Sequence, residues 1–174
     1  LQEGTQEKLV EGLYSGSLEI ALLYDLELPD DIHTVELAEL EPYVLLPATH
    51  KLAEHDEIDL VKLAQEPMIL FDVQPSRGFF LGLLKSAGVT PDIAYTTSSL
   101  ELVRGMVGRG LGYSLLVTRP RGDLTYEGAS LIARPIKNNT TKSRIVLASL
   151  ANLRPTRVMS RFEAVAQIYF ASWK

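Results

Sequence analysis

The feature that most constrains this chain is the order of its patterns between residues 67 and 117. Met68-Ile69-Leu70-Phe71 is a short, continuously apolar run. Such a run suits a strand covered on both faces. Residues 76–87 follow with Phe80, Leu83 and Leu84 at helical spacing, closed by Gly88. Ile93-Ala94-Tyr95-Thr96 reads as another strand. Ser98 then opens a helix with Leu102, Val103, Met106 and Val107 as its apolar face, and residues 112–117 read as a third strand. Strand, helix, strand, helix, strand is the pattern of an α/β fold in which mostly parallel sheets carry helices on both faces.

The flanking segments fit the same class. Leu9, Val10 and Leu13 share a helical face over residues 5–15, with Thr5 as N-cap and Gly16 as C-cap, and Leu18–Leu23 is a strand closed by Tyr24-Asp25. Residues 33–40 and 42–47 read as strands, Ile58–Gln65 as a helix stopped by Pro67, and residues 130–135 and 143–149 as two more strands. The chain ends in an amphipathic helix over residues 155–173 with Val158, Phe162, Val165, Ala166 and Tyr169 inward.

Composition removes several classes of function. The net charge is -5, which opposes a protein that grips nucleic acid through a basic field. With no cysteine, disulfides and Cys-based metal sites are excluded. His33, His50 and His55 have no ligand spacing, because residues five apart do not stack on one helical face. No metal or other cofactor is expected. Apolar stretches such as 18–23 and 111–117 fall far short of the roughly 20 residues that span a bilayer, so no membrane partner is expected. The start has neither a signal peptide nor an initiator Met, and the chain is read as a fragment.

The glycines at 105, 108, 110 and 112 invite a nucleotide-binding reading, but they follow a helix and precede a strand. A dinucleotide loop has the opposite polarity, so these glycines are read as a helix stop and a close packing point. No nucleophile elbow or carboxylate pair points to catalysis, and an enzyme is not expected. The informative positions are polar residues that follow apolar strands: Tyr24 and Asp25, then Gln74, Ser76 and Arg77, then Thr97, Ser98 and Ser99. Strand ends in a parallel sheet converge on one crevice, where free N–H groups and helix dipoles favour an anion. Arg77 could add a bidentate contact to a carboxylate. Each position also has a purely structural explanation: Ser98 with Glu101 makes a capping box, Ser76 a cap, and Arg77 a surface ion pair.

Several segments together resemble the effector-binding domain of LysR-type transcriptional regulators. Residues 9–22, with Glu19 where Asp is usual, are similar to the family's helix, Gly turn and strand. Residues 43–47 followed by His50-Lys51-Leu52-Ala53 resemble its crossover strand and His-Pro-Leu turn, with Lys51 in place of Pro. Residues 58–70, the Ala87-Gly88-Val89-Thr90-Pro91 turn and residues 98–116 follow in the family's order. The resemblance implies a two-lobed, type 2 periplasmic-binding-protein-like fold whose N-terminal strand and helix are missing here. It implies an incomplete lobe I from 1–46 plus 151–174 and lobe II from 47–150. A small anionic metabolite is expected between the lobes, and Tyr24, Ser76 and Ser98 occupy positions of inducer contact in the family. The implied protein is a cytoplasmic homodimer or homotetramer that touches DNA only through a missing winged helix-turn-helix headpiece. A periplasmic solute-binding protein of a transporter is the alternative.

Overall fold

A computed structural model describes residues 1–173; Lys174, the last residue of the expected lobe I, lies outside the described residues. The chain divides into two compact units, Leu1–Leu40 with Lys142–Lys174, and Glu41–Thr141.

In the first unit, α1 (Gln6–Tyr14) starts where Thr5 accepts a hydrogen bond from Lys8 N, and Gly16, at φ 71°, follows its last turn. An added Cβ at Gly12 would lie 2.7 Å from the Leu18 side chain, which would have to shift to admit it. Leu18 N donates to Gly12 O at 3.0 Å, so Leu18 belongs to the turn. The expected strand 18–23 therefore shortens to β1 (Ala21–Tyr24). β1 and β2 (Ile32–Leu40) flank β8 (Ser143–Leu150), and both pair with it antiparallel. Leu13, Ala21, Leu23, Ile32, Val146 and Ala148 form this unit's core. α4 (Arg157–Ala171), capped by Thr156, buries Met159, Ala166 and Phe170. The inward face expected from sequence is corrected here: Val158, Phe162, Val165 and Tyr169 are half to three-quarters exposed, and only Ala166 of that set is buried. α4 is apolar around most of its circumference, so periodicity alone could not choose between adjacent stripes.

The second unit contains β3 (Tyr43–Pro47), β4 (Pro67–Phe71), α2 (Ser76–Ser86), β5 (Asp92–Thr97), α3 (Leu100–Gly108), β6 (Ser114–Leu116) and β7 (Leu131–Pro135). The helix expected at 58–65 is a single 3-10 turn, Leu60–Leu63, opened by Asp59. β3 lies between β6 and β7, antiparallel to both, while β4 and β5 are parallel. A parallel bridge from Met68 to Tyr113 joins β4 to the start of β6. That junction explains Gly112: it sits at φ 153°, and a Cβ there would lie 2.2 Å from Pro67 O. The glycine cluster thus ends α3 and admits a close backbone approach, as its position in the sequence implies.

Two expectations about architecture change. Mostly parallel pairing was expected, yet both three-stranded sheets are antiparallel and parallel pairing is confined to β4–β5 and isolated bridges. Helical crossovers separate only β4, β5 and β6; β2 and β3 are joined by two residues that carry the chain from one sheet to the other. The units also divide at 40/41 and 141/142 rather than at 46/47 and 150/151. β3 pairs only with strands of the second unit, and β8 only with strands of the first.

Candidate functional site

β4 and β5 bring two of the three predicted clusters together. Their register places Phe71 opposite Thr97, and Asp72 N donates to Thr97 O at 2.9 Å. The turn 72–75 and the turn 97–99 therefore leave neighbouring parallel strands at the same edge. Both strands lead directly into helices, so this edge also holds the N-termini of α2 and α3. Gln74 is exposed, Ser76 is buried as the first residue of α2, and Arg77 is half-buried. Arg77 Nη1 donates to Asp72 Oδ1 at 2.9 Å. Asp72 had not been singled out from the sequence; its place directly after an apolar strand and five residues before Arg77 was the available signal.

The second turn is organised by capping. Thr97 Oγ1 accepts from Ser99 N at 3.1 Å, and Ser99 Oγ accepts from Leu102 N at 3.3 Å. Ser99 is the N-cap of α3, which corrects the expectation that Ser98 and Glu101 form a capping box. The strand runs to Thr97, one residue further than expected, and displaces the helix start by one. Ser98 is exposed and free of that structural duty. The α3 face also differs: Val103 and Val107 are buried as expected, but Leu102 is 52% exposed and Arg104 is 4% exposed. Arg104 Nη2 donates to Gly122 O at 2.9 Å and Leu124 O at 2.8 Å. Its Nε lies 3.5 Å from Glu101 Oε1, an ion pair without a hydrogen bond.

Tyr24 and Asp25 belong to the first unit. Tyr24 ends β1 and is half-buried. Asp25 N donates to Arg144 O, and its carboxylate lies 2.9 Å from Arg144 Nη2, so its charge is already matched within the sheet. A hollow of about 900 Å³ in this unit, lined by Leu9, Leu18, Ile20, Leu22, Met159 and Phe162 among others, includes none of the predicted site residues.

Two groups elsewhere in the second unit are electrostatically perturbed. Lys51, 2.6 Å from Glu66, holds that carboxyl below its ordinary value, with His50 adding a weaker pull. Burial pushes the Tyr113 hydroxyl up to about 12, helped by the charges of Asp92 and Glu66. Neither lies in the two turns at the strand ends. Among the described residues no group of three or more His, Asp or Glu could hold a metal ion, and no helix is long and apolar enough to cross a membrane.

Polar turns at the ends of parallel strands, on a fold of two α/β units, define the class of small-molecule binding domains with a type 2 periplasmic-binding-protein-like fold. Residues 1–170 match the LysR substrate binding domain, and the chain belongs to that family. It is similar to the C-terminal domain of a probable LysR family regulator from Rhodococcus sp. RHA1, at 38% identity and TM-score 0.90, covering 94% of this chain and 81% of that one. HinK, a LysR family regulator from Pseudomonas aeruginosa, is 39% identical with TM-score 0.91, over 97% of this chain and 59% of HinK. YnfL, an HTH-type transcriptional regulator of Escherichia coli K12, is 30% identical over 64% of this chain. The chain spans 38% of the length of YnfL. Two more distant domains share the fold: that of QuiR, solved with shikimate at 22% identity and TM-score 0.81, and that of CcmR from Synechocystis PCC6803, solved with 2-PG at 17% and 0.78. These proteins are regulators, and the transport reading finds no support among them.

Proposed function

We propose that this chain is the effector-sensing part of a LysR-type transcriptional regulator, binding a small anionic metabolite and carrying out no catalysis. The observation that carries the site is the convergence of the turns 72–75 and 97–99 at one end of the parallel β4–β5 pair. Gln74, Ser76, Arg77, Thr97, Ser98 and Ser99 all stand there. Thr97 and Ser99 are partly spent on capping, so Ser76 and Ser98 are the side chains to which we give direct ligand contact. Tyr24, at the end of β1, is a further contact by resemblance; Asp25 is the weakest member, being matched by Arg144. The ligands in the QuiR and CcmR structures support a small acid as effector class.

In the full protein, DNA contact belongs to a winged helix-turn-helix headpiece outside these residues, and the regulator works as a cytoplasmic homodimer or homotetramer. Effector binding shifts the population of its conformations only by its difference in affinity for them. The test is a thermal-shift screen of this chain against small carboxylates, amino acids and inorganic anions. A ligand at 100 times its Kd stabilises the fold by about 2.7 kcal/mol. A saturable hit that is lost in both Ser76→Ala and Ser98→Ala supports the reading; a hit indifferent to both places the effector elsewhere.

A further inference from the structure

The second unit has a cavity that shares no residue with the two turns. It lies at the end of the β6–β3–β7 sheet where β3 begins and β6 and β7 stop. Pro42, Val117 and Pro135 give it apolar walls, and Arg119 and Arg134 bring two guanidinium groups to its lining. Tyr43 also lines it, with its hydroxyl already donated to Thr118 O at 3.0 Å. The volume is about 180 Å³, below the roughly 300–1,000 Å³ of pockets that take drug-sized ligands.

Arg134 is the informative residue. It is half-buried, yet it makes no ion pair among the described residues. Its Nε and Nη2 both donate to Ala53 O, at 3.0 and 2.8 Å, and that acceptor is neutral. A guanidinium has five N–H donors, so the Ala53 bond leaves the Nη1–Nη2 end without a partner. A cation taken partly out of water without a counter-ion is unfavourable, and an anion beside it offsets that cost. Arg119 is available for the same purpose. Its pair with Asp123, at 3.2 Å, is more than half exposed on both sides. Exposed pairs of this kind contribute little, so Arg119 can exchange Asp123 for another anion at small cost. Glu41 also lines the cavity and has a polar partner of its own. Two cations against one carboxylate leave the lining net positive.

We propose that this cavity is a second anion site, built for a small oxyanion that presents two acceptor oxygens to the guanidinium end of Arg134. The parallel N–H bonds of that end match a carboxylate, sulfate or phosphate edge and do not match a spherical halide. The proposal is independent of the effector reading, because none of its residues belongs to the turns 72–75 and 97–99.

The test follows the side-chain Nε–H signals of the arginines by NMR while the whole chain is titrated with sulfate. Chloride keeps the ionic strength constant and competes throughout. In the wild type, Arg134 and Arg119 should shift saturably and with one common half-saturation. Arg109, an exposed arginine paired with Glu127, should not follow them. Arg119→Gln removes an exposed side chain and keeps the fold; it should raise the half-saturation read at Arg134 at least threefold. Arg134→Lys keeps the charge but loses the planar fork, and should raise the value read at Arg119 by as much. Shifts that are linear in sulfate, or equal at Arg109, show ionic screening alone and overturn the proposal. A half-saturation that stays the same in either variant overturns it too.

Discussion

At the scale of single residues, the two serines after β5 differ in structural duty. Ser99 holds the first turn of α3 through Leu102 N, and Ser98 carries no such bond. Ser99→Ala should therefore cost roughly 0.5–2 kcal/mol in urea unfolding, the usual range for a lost N-cap. Ser98→Ala should leave the midpoint unchanged and affect only ligand binding. The sequence offered Ser98-Ser99-Leu100-Glu101 as a capping box with Ser98 first. Its register was wrong by one, because Thr97 stayed in the strand and bound Ser99 N. Glu66 gives a second prediction. Its folded pKa lies below its ordinary value of 4.5, chiefly through the hydrogen bond from Lys51. A carboxyl lowered by folding stabilises above its unfolded pKa, and that stabilisation is lost as pH falls through the folded value. Wild type should thus be more stable than Glu66→Gln at pH 7, with the difference in urea midpoint vanishing toward pH 3. A constant difference over that range would remove the ion pair as its cause.

At the scale of elements, the segments bounded by strong punctuation were the legible ones. β4, α2, β5 and α3 were placed within two residues, because apolar runs and glycines mark both strand and helix ends. Strand direction outside that region was not legible, since a strand's side-chain pattern does not say which neighbour it will pair with. The buried face of α4 was missed for a related reason: Val158, Met159, Phe162, Val165, Ala166, Ile168 and Phe170 offer more than one plausible stripe. Arg104 was hidden too, because a cation on a helix is ordinarily read as solvated. Its bonds to Gly122 O and Leu124 O tie the segment 118–128 to α3. Arg104→Met should cost roughly 2–3 kcal/mol, the scale of charge-assisted hydrogen bonds. It should also speed tryptic cleavage after Arg121, the Arg119–Pro120 bond being resistant to trypsin. Unchanged cleavage would show that the segment is held by other contacts.

At the scale of the whole molecule, the presence of two units was legible and their limits were not. Each has a core of its own: Leu13 to Ala148 in the first, and two clusters built on β3, β4 and β6 in the second. The second unit is one continuous stretch, Glu41–Thr141, whereas the first needs both ends of the chain. Residues 41–141 expressed alone should unfold in one cooperative, calorimetrically two-state transition. Residues 1–40 alone should stay unfolded, since β1 and β2 both depend on β8 for their pairing. A molten 41–141 fragment would contradict the independence of its core.

Leu40, the last residue of β2, lies directly opposite Ser143, the first residue of β8. Strand partners so placed are about 5 Å apart. The chain thus leaves for the second unit and returns at adjacent points of one ladder, so the ladder could be closed by a tight turn with little disturbance. In evolutionary terms the second unit is a cassette with its two ends already side by side. Replacing it would require no change of register in the strands that receive it.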